Sequence, residues 1–131
     1  MIFSGECLRL TTGTDDLAAG LARMAQFTDA FIAVSNGPLP VLWREDRAIR
    51  EMAVFPITAV DTLGAGDVFR GAFALALAEG CEIAAAMRFA AASAGLKCTR
   101  FGGSTGAPRR PEVEALLAQS EARFSEGRAG M

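Results

Sequence analysis

Apolar positions in this chain fall into short continuous runs and helically spaced stretches, divided by turns rich in glycine, proline or charge. Met1-Ile2-Phe3 is a short apolar run fit to end a strand. Residues 15–27 place Leu17, Leu21, Met24 and Ala25 on one face, with Thr14 or Asp15 as the cap, and predict a helix that packs. Ala30-Phe31-Ile32-Ala33-Val34 is apolar throughout, the pattern of a strand buried on both faces of a parallel sheet. Val41-Leu42-Trp43 and residues 49–54, joined by Arg44-Glu45-Asp46-Arg47, predict a hairpin with a charged turn and a packing role for Trp43. Phe55-Pro56-Ile57 breaks the second strand, and residues 54–60 form an apolar, β-leaning approach to a glycine loop. Residues 68–78 then read as a helix ended by Gly80, residues 82–96 as an alanine-dense helix, and residues 97–107 as a loop. A last helix is expected over residues 111–122, with Pro111 in its first turn, and a loose tail over residues 125–131. This alternation is α/β.

Composition narrows the classes. The 131 residues are 51% hydrophobic and 21% charged, which predicts one compact domain over residues 1–124. A net charge of −2, with no basic cluster beyond Arg109-Arg110, predicts no nucleic-acid partner. There is no histidine, so imidazole chemistry is absent and carboxylates must carry any proton transfer. Cys7, Cys81 and Cys98 form no CxxC pair, which argues against a disulfide framework or zinc site and for a reducing compartment. With no long apolar run and no charged-then-apolar leader, a cytoplasmic protein without membrane contact is expected.

The candidate chemistry lies in Asp61-Thr62-Leu63-Gly64-Ala65-Gly66-Asp67-Val68-Phe69. A glycine loop that opens a helix gathers N–H groups with no intrahelical partner at the positive end of the helix dipole, a site for phosphate. Gly64 and Gly66 admit unusual backbone angles and leave no Cβ to hold an anion away, and Ala65 keeps the wall small. Asp67 is a carboxylate where negative charge is otherwise attracted. It reads either as a helix cap or as a general base that takes a proton from a substrate hydroxyl.

The whole string resembles the signature D-T-x-G-A-G-D-x-F of the PfkB (ribokinase-like) carbohydrate kinases. Asp61, Thr62, Gly64, Ala65, Gly66, Asp67 and Phe69 fill its defined positions, and Gly71, Arg88-Phe89-Ala90 and Lys97-Cys98-Thr99-Arg100-Phe101-Gly102-Gly103 with Pro108 are similar to its closing segment. The resemblance covers only the C-terminal part of a family member. It implies an α/β three-layer sheet with flanking helices, Asp67 as the base, and Gly64, Ala65 and Gly66 as the anion hole. It implies ATP and magnesium as cofactors, with nucleotide contacts at Ser35, Gly37, Thr62, Ala92 and Gly95. For Ala92 and Gly95, close helix packing is the alternative; for Ser35 and Gly37, an ordinary turn. A monovalent cation such as potassium is implied at Asp61, Leu63, Lys97, Arg100 and Gly102, ordering the anion loop.

Two motifs depart from the family's. Its N-x-x-E magnesium motif falls on Ser4 and Cys7, with Glu6 one place off as the candidate for a magnesium-bound water or else a merely solvated carboxylate, and Pro40 replaces a glycine of its T-x-G-x-x-G stretch. The implied reaction is phosphoryl transfer from ATP to an alcohol, a sugar hydroxyl first; a nucleoside or vitamin-precursor kinase and a non-catalytic nucleotide-binding or assembly fragment are the alternatives. The family's N-terminal half, with its acceptor-binding residues, has no counterpart here. Self-association or dependence on that missing half is expected.

Overall fold

Ser4 both closes the first strand and starts a helix that the apolar pattern did not suggest. Its hydroxyl accepts from the Cys7 N–H at 3.2 Å, and Gly13 ends the helix in the left-handed conformation at φ 69°. The computed structural model describes residues 1–129. The chain divides into two compact units, Met1–Val54 and the residues from Phe55 onward.

In the first unit, β1 (Ile2–Ser4), α1 (Gly5–Thr12), α2 (Leu17–Met24), β2 (Ala33–Asn36), β3 (Leu39–Glu45) and β4 (Ala48–Met52) follow one another. The sheet order is β1-β2-β3-β4. β1 and β2 pair in parallel across the two-helix crossover, whereas β2–β3 and β3–β4 are antiparallel. The sheet is therefore mixed, not the parallel one expected around residues 30–34. Leu8 of α1 and Leu21 of α2 bury fully against Ile32 and Val34, each such side chain contributing about 1.5–3 kcal/mol. A Cβ on Gly20 would stand 3.1 Å from Leu8, so glycine there lets the two helices approach. The hairpin turn is tighter than expected. Arg44 and Glu45 stay in β3, opposite Ile49 and Ala48, and only Asp46 and Arg47 turn, both at positive φ. Trp43 is buried, with its indole N–H donated to Glu45 at 3.1 Å, in keeping with a packing role.

In the second unit the expected β-leaning approach forms no strand. Pro56 has no N–H for a ladder, and the N–H groups of Val60 and Asp61 instead donate to the Cys98 carbonyl at 2.7 and 3.2 Å. Helix α3 (Ala65–Ala78) buries Phe69, Phe73 and Ala76 at helical spacing and leaves Leu75 and Leu77 exposed. Gly80, at φ 87°, closes it: the Gly80 N–H reaches the Leu77 carbonyl and the Cys81 N–H reaches that of Ala76, each at 3.0 Å. Helix α4 (Ile83–Cys98) packs against α3 along small residues and continues through Lys97, which was expected in the following loop. After a 3₁₀ turn at Ser104–Gly106, α5 (Arg110–Ala129) begins with Glu112 accepting the Arg109 N–H at 2.6 Å. No glycine or proline interrupts residues 112–126, and the helix passes the expected end at Ala122 to reach Ala129. The tail expected to be loose is thus helical as far as Ala129; Gly130 and Met131 lie outside the described residues. Among the described residues, no helix is long and apolar enough to cross a membrane.

Candidate active site

Gly64 adopts a left-handed φ of 78° at the cap of α3, so the chain turns there into a helix whose first residues are Ala65, Gly66 and Asp67. A Cβ at Gly64 would lie 3.6 Å from the Gly103 Cα, which brings the anion loop against the 102–106 segment. The Ala65 N–H donates to the Thr62 carbonyl at 3.1 Å, so this expected anion-hole donor is already engaged. The N–H groups of Gly66 and Asp67 have no acceptor among the described residues. They are open donors in the first turn of α3, at its positive end.

The Asp67 carboxylate is 89% exposed and stands 3.6 Å from the Arg70 guanidinium. Arg70 is a residue the sequence reading missed. Its signal was spacing alone, since residues three apart on a helix share a face. The guanidinium also flanks Gly66, whose added Cβ would come within 3.1 Å of it. A cation, two unengaged N–H groups and a carboxylate therefore share one helical turn, an arrangement able to hold a phosphoryl group and accept a proton beside it.

Asp61, at the entry to this turn, is fully engaged. One carboxylate oxygen accepts the Leu63 N–H at 2.9 Å and the other accepts the Gly102 N–H at 3.0 Å. These two hydrogen bonds, followed by the nearby Lys97 charge, hold its carboxyl below the usual carboxylate range. The Lys97 side chain, with no exposed surface, reaches in from the last turn of α4. Its ammonium donates to the Asp61 carbonyl at 2.9 Å and to the Arg100 carbonyl at 3.3 Å, and lies 3.6 Å from the Asp61 carboxylate. Gly106 is buried against it: a Cβ there would meet the Lys97 Cε at 3.5 Å. Asp61, Leu63, Lys97, Arg100 and Gly102 are thus brought together, and the charge that the Asp61 and Arg100 oxygens surround is the Lys97 ammonium.

Arg100 turns its guanidinium outward to pair with Glu112, and that bond, followed by the Arg109 N–H, keeps the Glu112 carboxyl below its usual range. Burial pushes the Cys98 thiol up. Thr62 is exposed on the entry turn. Ala92 is fully buried, so packing accounts for it and the expected contact with a nucleotide has no open surface there. A Cβ on Gly95 would meet Ile57 at 3.6 Å. In the first unit, Ser35 lies within β2 opposite Ser4, Gly37 follows in the left-handed conformation with open space beside it, and Glu6 is exposed in the first turn of α1. An acidic residue is favoured there by the helix dipole alone. Among the described residues, no group of three or more His, Cys, Asp or Glu side chains could hold a metal ion.

Residues 2–110 match the model of the pfkB family of carbohydrate kinases. Over 63 residues the chain is 57% identical to the ribokinase of Bacillus subtilis (strain 168), a match covering 48% of this chain and 22% of that one. The structure of Arabidopsis thaliana ribokinase complexed with ribose and ATP superposes with a TM-score of 0.81 at 29% identity, over 88% of this chain and 40% of that one. A doubly substituted fructokinase from Vibrio cholerae O395, bound to fructose, ADP and potassium, superposes with a TM-score of 0.82 at 26% identity, over 88% of this chain and 39% of that one. The chain thus spans well under half the length of these relatives.

Proposed function

The chain belongs to the pfkB family of carbohydrate kinases, and from that premise we propose that it supplies the phosphate-holding and proton-accepting part of an ATP-dependent sugar kinase. The observation that carries this reading is the first turn of α3, where the unengaged N–H groups of Gly66 and Asp67 and the exposed Asp67 carboxylate stand side by side.

In this reading the sugar hydroxyl donates a hydrogen bond to Asp67, which takes its proton as the oxygen attacks the terminal phosphoryl group of ATP, the bond to the bridging oxygen breaks and ADP leaves. The Gly66 and Asp67 N–H groups bear on the charge that develops on the phosphoryl oxygens. Ala65 joins them only where its N–H leaves the Thr62 carbonyl. The Arg70 guanidinium stands beside both Gly66 and Asp67. Magnesium, when bound, spreads and neutralises charge on the phosphates; the described residues offer no carboxylate cage for it, which fits an ion carried in on ATP. A magnesium-bound water is the proposed contact of Glu6, by resemblance alone. The Arabidopsis complex holds ribose and that from Vibrio fructose, which favours a small sugar here.

The test is phosphoryl transfer from Mg-ATP to a panel of sugars, followed by phosphorus NMR. Asp67→Asn should lower transfer by roughly 10²–10⁴-fold while ATP affinity is kept. A variant that retains most of the activity would remove Asp67 as the base.

A further inference from the structure

We propose that the buried Lys97 ammonium is a built-in monovalent cation, standing where the family resemblance places a dissolved one, so that the support of the anion loop in this chain does not depend on potassium. The partners of the ammonium carry the argument. Two main-chain carbonyls and a carboxylate surround it, a donor set of oxygens with one negative charge, which is what a weakly hydrated monovalent cation also requires. An ammonium is a compact point charge with three donors, and a buried one persists only where such acceptors satisfy it.

The ammonium also holds the place that a bound ion would need. Both Asp61 carboxylate oxygens already accept main-chain N–H groups, from Leu63 and Gly102, and the carbonyls of Asp61 and Arg100 already accept from Lys97. A second cation would have to share these oxygens at close range to a fixed like charge. The residues of this site therefore do not fit a monovalent cation in addition to Lys97. Its position in the last turn of α4, at the negative end of that helix, favours the tethered charge further.

The consequence reaches the anion loop through Asp61. Lys97 fixes the Asp61 main chain, Asp61 fixes the Leu63 N–H, and Gly64 follows at the cap of α3. Lys97 is thus a positioning residue for the loop. It touches neither the proposed base nor the unengaged N–H groups.

The experiment reads folding and ion binding, so its failure is separate from any failure of the kinase reading. The unfolding midpoint of the intact chain is measured in potassium, sodium and tetramethylammonium chlorides at matched ionic strength, and thallium(I), a spectroscopic stand-in for potassium, is titrated by NMR. The expected result is one midpoint in all three salts and no saturable thallium binding. Lys97→Ala removes the ammonium and leaves room, and should become selectively stabilised by potassium or methylammonium. Potassium-selective stabilisation of the unsubstituted chain, or saturable thallium binding to it, would overturn the proposal, as would a folded Lys97→Ala variant indifferent to both ions. Where Lys97→Ala does not fold in any salt, the thallium titration of the unsubstituted chain decides alone.

Discussion

Asp61 and Asp67 lie at the two ends of one turn, and their surroundings give them opposite tasks. Asp61 accepts two main-chain N–H groups and faces a buried ammonium, so it is fixed and ionised; Asp67 is exposed and has one guanidinium beside it. The first holds structure, and the second is the proposed base. Because the carboxyl of Asp61 is held below its ordinary value of 3.8, the unfolded chain binds more protons than the folded one between the two values, and stability rises with pH there. That contribution should be fully present above the unfolded value and lost as the pH falls through the folded one. Urea midpoints measured from neutral to acid pH should show this fall, and Asp61→Asn should show a lower midpoint at neutral pH with a flatter acid limb. An unchanged acid limb in the variant would mean that Asp61 is not the group responsible. The signature residues were legible in the sequence because glycine spacing and a cap position are local chemistry. The burial of Lys97 was not: the resemblance placed it at a cation site, but only the packing of residues 97–106 around it makes it a buried charge. Arg70 was overlooked for a related reason, since its partner is defined by the helix face and not by the motif.

At the scale of elements, the α3–α4 hairpin depends on one left-handed residue. Gly80 at φ 87° permits both closing hydrogen bonds of α3, and Gly80→Ala should cost about 1–2 kcal/mol, seen as a lower urea midpoint with an unchanged denaturant slope. A midpoint equal to that of the unsubstituted chain would mean that the helix end is remade without strain. This ending was readable, as was the helix following the glycine loop. Helix α1 was not, because Ser4 and Gly13 mark its ends clearly but Glu6, Cys7, Arg9 and Thr11 dilute its apolar stripe to Leu8 and little else. The strand expected before the loop failed for a different reason: the residues after Pro56 find their hydrogen bonds at the end of α4 and not in a ladder.

At the scale of the molecule, the Met1–Val54 unit carries the sheet and its two helices, and the unit from Phe55 onward carries the whole of the signature turn, its buried lysine and the loop that wraps it. The α/β class and the family were legible because the signature is contiguous. The division into units was not, because it follows from which residues share a core. Calorimetric titration of Mg-ATP into the chain and into Gly66→Val decides whether the Gly64–Gly66 turn holds phosphate. The added side chain would stand against the Arg70 guanidinium, where a Cβ alone comes within 3.1 Å, and would cover the unengaged N–H groups. Saturable binding of one nucleotide per chain, lost in a folded Gly66→Val variant, is the predicted result. Absence of binding by the folded chain, or equal affinity in the variant, would contradict it.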